Sequence, residues 1–163
     1  MIKIVKADIT GMNTDAIVNA ANPFLIKGGG VSGAIFKAAG KELSRHCRKL
    51  GILSPGEAVI TPGFKLKAKY VVHTVVPIFG DTGGKARKVL EACYRNSLNL
   101  AEEHGLESVA FPCIGTGFYS FPFEEACRIA LGAAKESNKM IYMVCYTKKD
   151  YDIYIDICGG MNK

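Results

Sequence analysis

The chain has 163 residues, of which 48% are hydrophobic and 22% charged, and a formal net charge of +6. This length and balance predict one domain over residues 1–163 with a full interior core, and exclude a disordered or collagen-like chain. No apolar run approaches the length of a membrane-spanning helix, and the N-terminus lacks a signal-like apolar region, so a cytoplasmic protein is expected.

Ile2 to Val5 alternates with lysines and predicts a first strand, followed by a turn at Asp8-Ile9-Thr10-Gly11. Ala16 to Ala20 reads as a buried strand. Ser32 to Ala39 reads as a helix, with Ser32 placed to cap it. Lys41 to Leu50 predicts a second helix that stops at Gly51. Strands are expected at Glu57–Thr61 and Tyr70–Val76, the second rich in β-branched residues. Lys85 to His104 has the spacing of a long amphipathic helix, closed by Gly105. A short buried strand follows at Ser108–Pro112. Pro122 then opens a helix to about Lys135. Met140–Tyr146 predicts a last strand and Lys149–Cys158 a closing helix. Strands alternating with helices imply an α/β sheet covered on both faces.

Two loops carry glycines after apolar strands. The first runs from Asn19-Ala-Ala-Asn22 through Lys27-Gly28-Gly29-Gly30-Val31-Ser32-Gly33 into a helix. Glycine lets backbone approach a ligand closely, and a helix N-terminus offers free N–H groups and partial positive charge, so the arrangement suggests an anion site. A plain flexible turn is the simpler reading of three glycines taken alone. The second loop is Cys113-Ile114-Gly115-Thr116-Gly117-Phe118-Tyr119-Ser120-Phe121. Its small residues can turn successive N–H groups toward an anion, and Tyr119 can stack on a sugar or base. Neither loop is a Walker motif, and Gly28–Gly33 lacks the context of a dinucleotide fingerprint. In α/β sheets ligands sit outside the strand C-termini, so the two loops can lie side by side and clamp one ligand. Asp8 stands at the same end.

The six cysteines, at 47, 93, 113, 127, 145 and 158, contain no Cys-x-x-Cys pair. With no metal-ligand spacing among Cys and His, neither a structural metal nor a disulfide framework is expected. His73 lies in an apolar strand and reads as a satisfied core histidine. Lys65, Lys67 and Lys69 alternate in a loop, and Lys41, Arg45, Arg48 and Lys49 cluster on a helix. Such groups are usually solvated surface, or else they attract a phosphate-bearing ligand or nucleic acid.

Nearly the whole chain resembles a macrodomain, the ADP-ribose-binding module. The resemblance rests on Ala7-Asp8-Ile9-Thr10, Asp15 to Asn22, Gly28-Gly-Gly-Val31 with Gly33-Ala-Ile35, Gly56 to Thr61, Lys69 to Thr74, and Ser108 to Pro112 leading into Gly115-Thr-Gly117. It is strongest to the branch that hydrolyses mono-ADP-ribosyl groups and O-acetyl-ADP-ribose. It implies a three-layer α/β/α fold with a central mixed sheet and no cofactor. It further implies that Asp8 accepts from the adenine amino group with the Ile9 backbone beside it. Gly28, Gly29, Gly30 and Val31, and Gly115, Thr116, Gly117, Phe118 and Tyr119, would hold the two phosphates. Asn22 would hold the distal ribose, with Tyr119 packed on that ribose. Phe79 stands near a position where many relatives carry an aromatic residue. Asn19 is given a structural role, tying the loop backbone.

The chain departs from that branch at Ser32, where an aspartate is common, at Gly115, where serine is common, and at Lys27, where glycine is common. A serine hydroxyl is no carboxylate base, and losing a general base typically costs about 10²–10⁴ in rate. Ser32 and Asn22 are therefore the candidate catalytic residues of a hydrolase that acts on O-acetyl-ADP-ribose or on mono-ADP-ribosylated proteins. The alternative is a non-catalytic ADP-ribose reader. A third reading, motivated by the charge, is a nucleic-acid or poly(ADP-ribose) binder.

Overall fold

The computed structural model describes residues 1–80, 84–117 and 119–161. Among these residues six strands form one sheet: β1 (Ile2–Lys6), β2 (Ala16–Ala21), β3 (Ala58–Pro62), β4 (Tyr70–Val75), β5 (Ser108–Phe111) and β6 (Met140–Cys145). Their spatial order is β1-β6-β5-β2-β4-β3. All neighbours pair in parallel except β3, which runs antiparallel to β4 at one edge. The expected mixed sheet is therefore present.

Among the described residues five α-helices cover it: α1 (Gly30–Ala39), α2 (Lys41–Cys47), α3 (Ala86–Glu103), α4 (Phe123–Lys135) and α5 (Lys148–Met161). Alternation along each strand divides the core in two. Ala16, Val18, Val72, Phe111 and Met143 pack with Leu90, Tyr94, Leu131 and Tyr154 of α3, α4 and α5. Ile17, Val71, Val75 and Val144 pack instead with Ile35, Phe36, Leu43 and Cys47 of α1 and α2. β2 is buried on both faces, which is why it reads as a continuous apolar run without alternation.

Several boundaries differ from expectation. Ser32 does not cap α1. Gly29 occupies that position and the helix begins at Gly30, whose φ of +53° favours glycine. The N-cap needs extended backbone facing solvent, whereas Ser32 is already inside the first turn and buried. Pro122 is the residue before α4, not its first. The predicted second helix ends at Cys47, three residues early. Asp8, read as a turn residue, caps a one-turn 3₁₀ helix, Ile9–Gly11, by accepting from the Thr10 N–H at 2.9 Å and its hydroxyl at 2.7 Å.

The helices determine where a ligand can sit. β2 leads through α1 and α2 toward β3 and β4, on one face. β5 leads through α4 to β6, on the other. β2 and β5 are neighbours, so the chain departs from them in opposite directions, and a crevice opens at their C-terminal ends.

Candidate functional site

Both glycine loops border this crevice. Leu25 anchors the first: its side chain is buried in the α1–α2 core despite a φ of +53°, a conformation that costs a non-glycine residue about 1–2 kcal/mol. Asn22 organises the same turn. Its Nδ2 donates to the Ile26 carbonyl at 2.8 Å, and its Oδ1 accepts from the Phe24 and Ile26 N–H groups at 3.1 and 3.3 Å. One Nδ2 hydrogen remains to serve a ligand. Gly28, Gly29 and Gly30 are exposed and Val31 is half-buried. No side chain caps α1, so its first N–H groups remain available to an anion.

Ser32 lies beneath this loop at 5% exposure, and the Gly28 N–H donates to its Oγ at 3.4 Å. A Cβ on Gly28 would lie 3.7 Å from Ser32 Oγ and 3.9 Å from Asn22 Nδ2, so Gly28 separates the two candidate catalytic side chains. Gly33 explains the close approach of loop and helix, because a Cβ there would sit 2.7 Å from the Gly28 carbonyl oxygen.

The second loop is folded by its own backbone. Phe121 N–H donates to Gly115 O at 2.9 Å and Ser120 N–H to Gly117 O at 3.1 Å. Gly115 has φ +84°, and a Cβ would meet the Phe121 ring at 3.2 Å. A serine there would be strained in this loop as it stands. Thr116 Oγ1 donates to the Cys113 carbonyl at 2.9 Å, and Gly117 is exposed. Phe118 lies outside the described residues. The Tyr119 hydroxyl donates to the carbonyl of Ala21 at 3.4 Å, which joins the second loop to the end of β2 beside Asn22. Burial pushes that phenol up. The Phe79 N–H donates to Tyr119 O at 3.0 Å, and its ring meets Phe121 edge-on at 5.0 Å, with the Arg87 guanidinium 5.7 Å from its centroid.

Asp8 and Ile9 stand at the opposite end of the crevice. Asp8 is exposed and Ile9 is buried. The Ala7 N–H donates to Cys145 O at 3.0 Å, which sets Asp8 beside Tyr146, an aromatic residue 74% exposed at the end of β6. Sequence reading placed Tyr146 inside the strand and missed it as a candidate contact. Its signal was an aromatic residue just past a buried run. A groove of about 830 Å³ between α4 and α5 reaches the second loop only at Thr116, so it is not this crevice.

Asn19 is structural but does not tie the loop. Residues 19 and 73 are paired across β2 and β4, and Asn19 Nδ2 contacts His73 Nδ1 at 3.1 Å in the core. His73 Nε2 reaches Thr61 Oγ1 at 3.0 Å, with Cys47 Sγ at 3.9 Å. Burial, with a smaller contribution from His46, pushes His73 down to about 4, so it is neutral at pH 7. Among the described residues no three metal-ligating side chains converge. No helix among them is long and apolar enough to cross a membrane.

The fold and crevice define an α/β protein that presents backbone N–H groups and a few polar side chains at a topological switch point. A family model described as Macro domain matches residues 18–130, and the chain belongs to that family. It is 47% identical over 162 residues to Macro domain-containing protein CT2219 of Chlorobaculum tepidum, covering 94% of this chain and 93% of that protein. It is 46% identical over 162 residues to the ADP-ribose glycohydrolase MACROD2 of Mus musculus, covering 94% of this chain but 34% of that longer protein. The Oceanobacillus iheyensis macrodomain solved with ADP superposes with a TM-score of 0.95 at 39% identity, over 99% of this chain and 91% of that one.

Proposed function

We propose that the crevice binds ADP-ribose and that the protein hydrolyses an ester or glycosidic linkage at its distal ribose. The observation that carries this reading is the convergence of two N–H-rich loops at the β2–β5 switch point, with Asn22 held at one end and Asp8 at the other. Asp8 accepts from the adenine amino group, the Ile9 backbone lies alongside, and Tyr146 offers a face to the base. Gly28 to Val31 and Gly115 to Tyr119 donate to the two phosphates, helped by the α1 N-terminus. Asn22 and Tyr119 hold the distal ribose. Its relatives support the chemistry: one is named an ADP-ribose glycohydrolase, and a close structural neighbour holds ADP.

For an O-acetyl ester, water adds to the acyl carbon, the ribose oxygen leaves, and that oxygen takes up a proton. Ser32 is a poor proton acceptor at neutral pH, and its Oγ already accepts from Gly28. The proton of the attacking water therefore passes to a substrate phosphate oxygen, while Asn22 orients the ribose, a contribution of proximity rather than of a protein base. Ser32 positions the glycine loop through Gly28.

A second reading, a binder without turnover, is favoured by one observation: the first turn of α1 contains no acidic residue. A time course of O-acetyl-ADP-ribose cleavage beside calorimetric ADP-ribose titration decides between them. Turnover supports the hydrolase, binding without turnover supports the reader, and the absence of binding rejects both. Asn22→Ala removes three loop hydrogen bonds as well as the ribose contact, so its ADP-ribose affinity is measured alongside its turnover.

A further inference from the structure

Whatever is attached to the distal ribose leaves the crevice at its Asn22 end, and the rim there is apolar. Phe24 and Ile26 of the first loop are 59% and 56% exposed. Ile52 is 73% exposed and adjoins them, because the Leu53 N–H donates to Pro23 O at 2.9 Å. Across the crevice mouth Ile78 is 41% exposed, on the segment that follows β4. Ala21 and Val75, the last residues of β2 and β4, are paired, so these two apolar groups flank the same opening. Scattered apolar residues on a surface need no explanation, but a cluster around the mouth of a site does.

Cations stand a few residues beyond Ile52, where Lys85 and Lys88 line a groove with Pro55, Gly56 and the single acid Glu57. Lys27 is exposed at the end of the first loop, and Lys85 and Lys88 are exposed at the start of α3. Among the described residues none of the three is in an ion pair. Lys85 and Lys88 also oppose the α3 dipole, since no acidic residue lies in its first turn. Cations held there despite that opposition complement a negatively charged partner.

We propose that this rim docks polypeptide: the apolar residues beside the modified side chain of an ADP-ribosylated protein pack on Phe24, Ile26 and Ile52, and acidic residues further along face Lys85 and Lys88. The proposal rests on the ADP-ribose reading of the crevice. A small ester such as O-acetyl-ADP-ribose carries no neighbouring side chains to pack on the rim. The protein therefore distinguishes modified polypeptide from free ADP-ribose derivatives by contacts outside the nucleotide pocket.

The test compares wild type with Phe24→Ser/Ile52→Ser and with Lys85→Glu/Lys88→Glu. Calorimetry measures affinity for ADP-ribose and for an acidic, leucine-containing peptide that carries ADP-ribose through a linkage resistant to hydrolysis. Wild type is expected to bind the modified peptide about 10-fold or more tightly than ADP-ribose. Both variants are expected to lose that difference while keeping wild-type affinity for ADP-ribose and wild-type melting temperature. The lysine variant alone is expected to show weaker salt dependence. Equal affinity of wild type for peptide and ADP-ribose overturns the docking surface, as does retention of the preference in both variants. Weakened ADP-ribose binding in the variants overturns it too, by assigning these residues to the nucleotide pocket. Failure of wild type to bind ADP-ribose at all rejects the reading of the crevice instead.

Discussion

Asn22 closes the turn that displays the glycines, and in the proposed function it also holds the distal ribose. Asn22→Ala is therefore expected to lower turnover by about 10²-fold, the scale of a misplaced reacting group, with a smaller loss of ADP-ribose affinity. An O-acetyl-ADP-ribose assay beside a titration separates the two effects. Ser32→Asp places a carboxylate where the Gly28 N–H already points, and is expected to raise the catalytic rate toward the range that a general base supplies, about 10²–10⁴. An unchanged rate in that variant would mean that the water is activated without residue 32. His73 contributes a loss of stability on the acid side. Its pKa is about 4 folded and 6.5 in the unfolded reference, so the unfolded chain takes up the proton first. Stability then falls as pH drops from about 6.5 through 4, by about 3 kcal/mol in all. Urea unfolding at pH 7 and pH 5 is expected to show the loss, and His73→Gln to flatten it. Sequence reading recognised His73 as a core residue because it sits in a β-branched run. Its partners Asn19, Thr61 and Cys47 come from three other elements, and no local pattern announces such a meeting.

Loop and helix act as one element at the start of α1. Gly33→Ala pushes a Cβ to 2.7 Å from the Gly28 carbonyl, and the loop is the softer partner. The expected result is about 10-fold weaker ADP-ribose binding with little change in melting temperature. Gly63→Ala makes the same chemical change in the β3–β4 connection, where the Cβ would lie 2.1 Å from Ala68 O. There the backbone is pinned, because Gly63 N–H donates to Lys69 O at 2.7 Å. This variant is expected to lose about 3 kcal/mol of stability in denaturant unfolding, with ADP-ribose affinity unchanged while folded. The strand and helix order was legible in the sequence because period and punctuation agree along most of the chain. The start of α1 was not, because a serine after three glycines matches an N-cap pattern, while the backbone of Gly29 and Gly30 had already begun the turn.

At the scale of the whole molecule, the net charge of +6 and the crevice N–H groups favour a doubly charged pyrophosphate. The association rate for ADP-ribose is expected to fall several-fold as salt rises from about 20 to 200 mM, with a much smaller change in dissociation rate; stopped-flow fluorescence measures both. The partition of the sheet faces could be read only coarsely from sequence. Alternating strands and helices announce two covered faces. Which helices share a face depends on the crossover from β2 toward β3 and from β5 to β6, and that is set by long-range pairing of β2 with both β4 and β5.

The two helical layers each carry thiols of their own. Cys47 of α2 is buried in one layer and Cys127 of α4 in the other, while Cys93 is buried on α3 with its thiol donating to the Val75 carbonyl of β4. Burial pushes them up to about 11, 12 and 11 respectively, so an alkylating reagent finds almost no thiolate until the surrounding layer opens. Pulse alkylation followed by peptide mass mapping thus turns these side chains into separate clocks for the two halves of the protein. Modification of Cys47 ahead of Cys93 and Cys127 would show that the layer bearing the glycine loop breathes independently. Added ADP-ribose would then slow the Cys47 clock first.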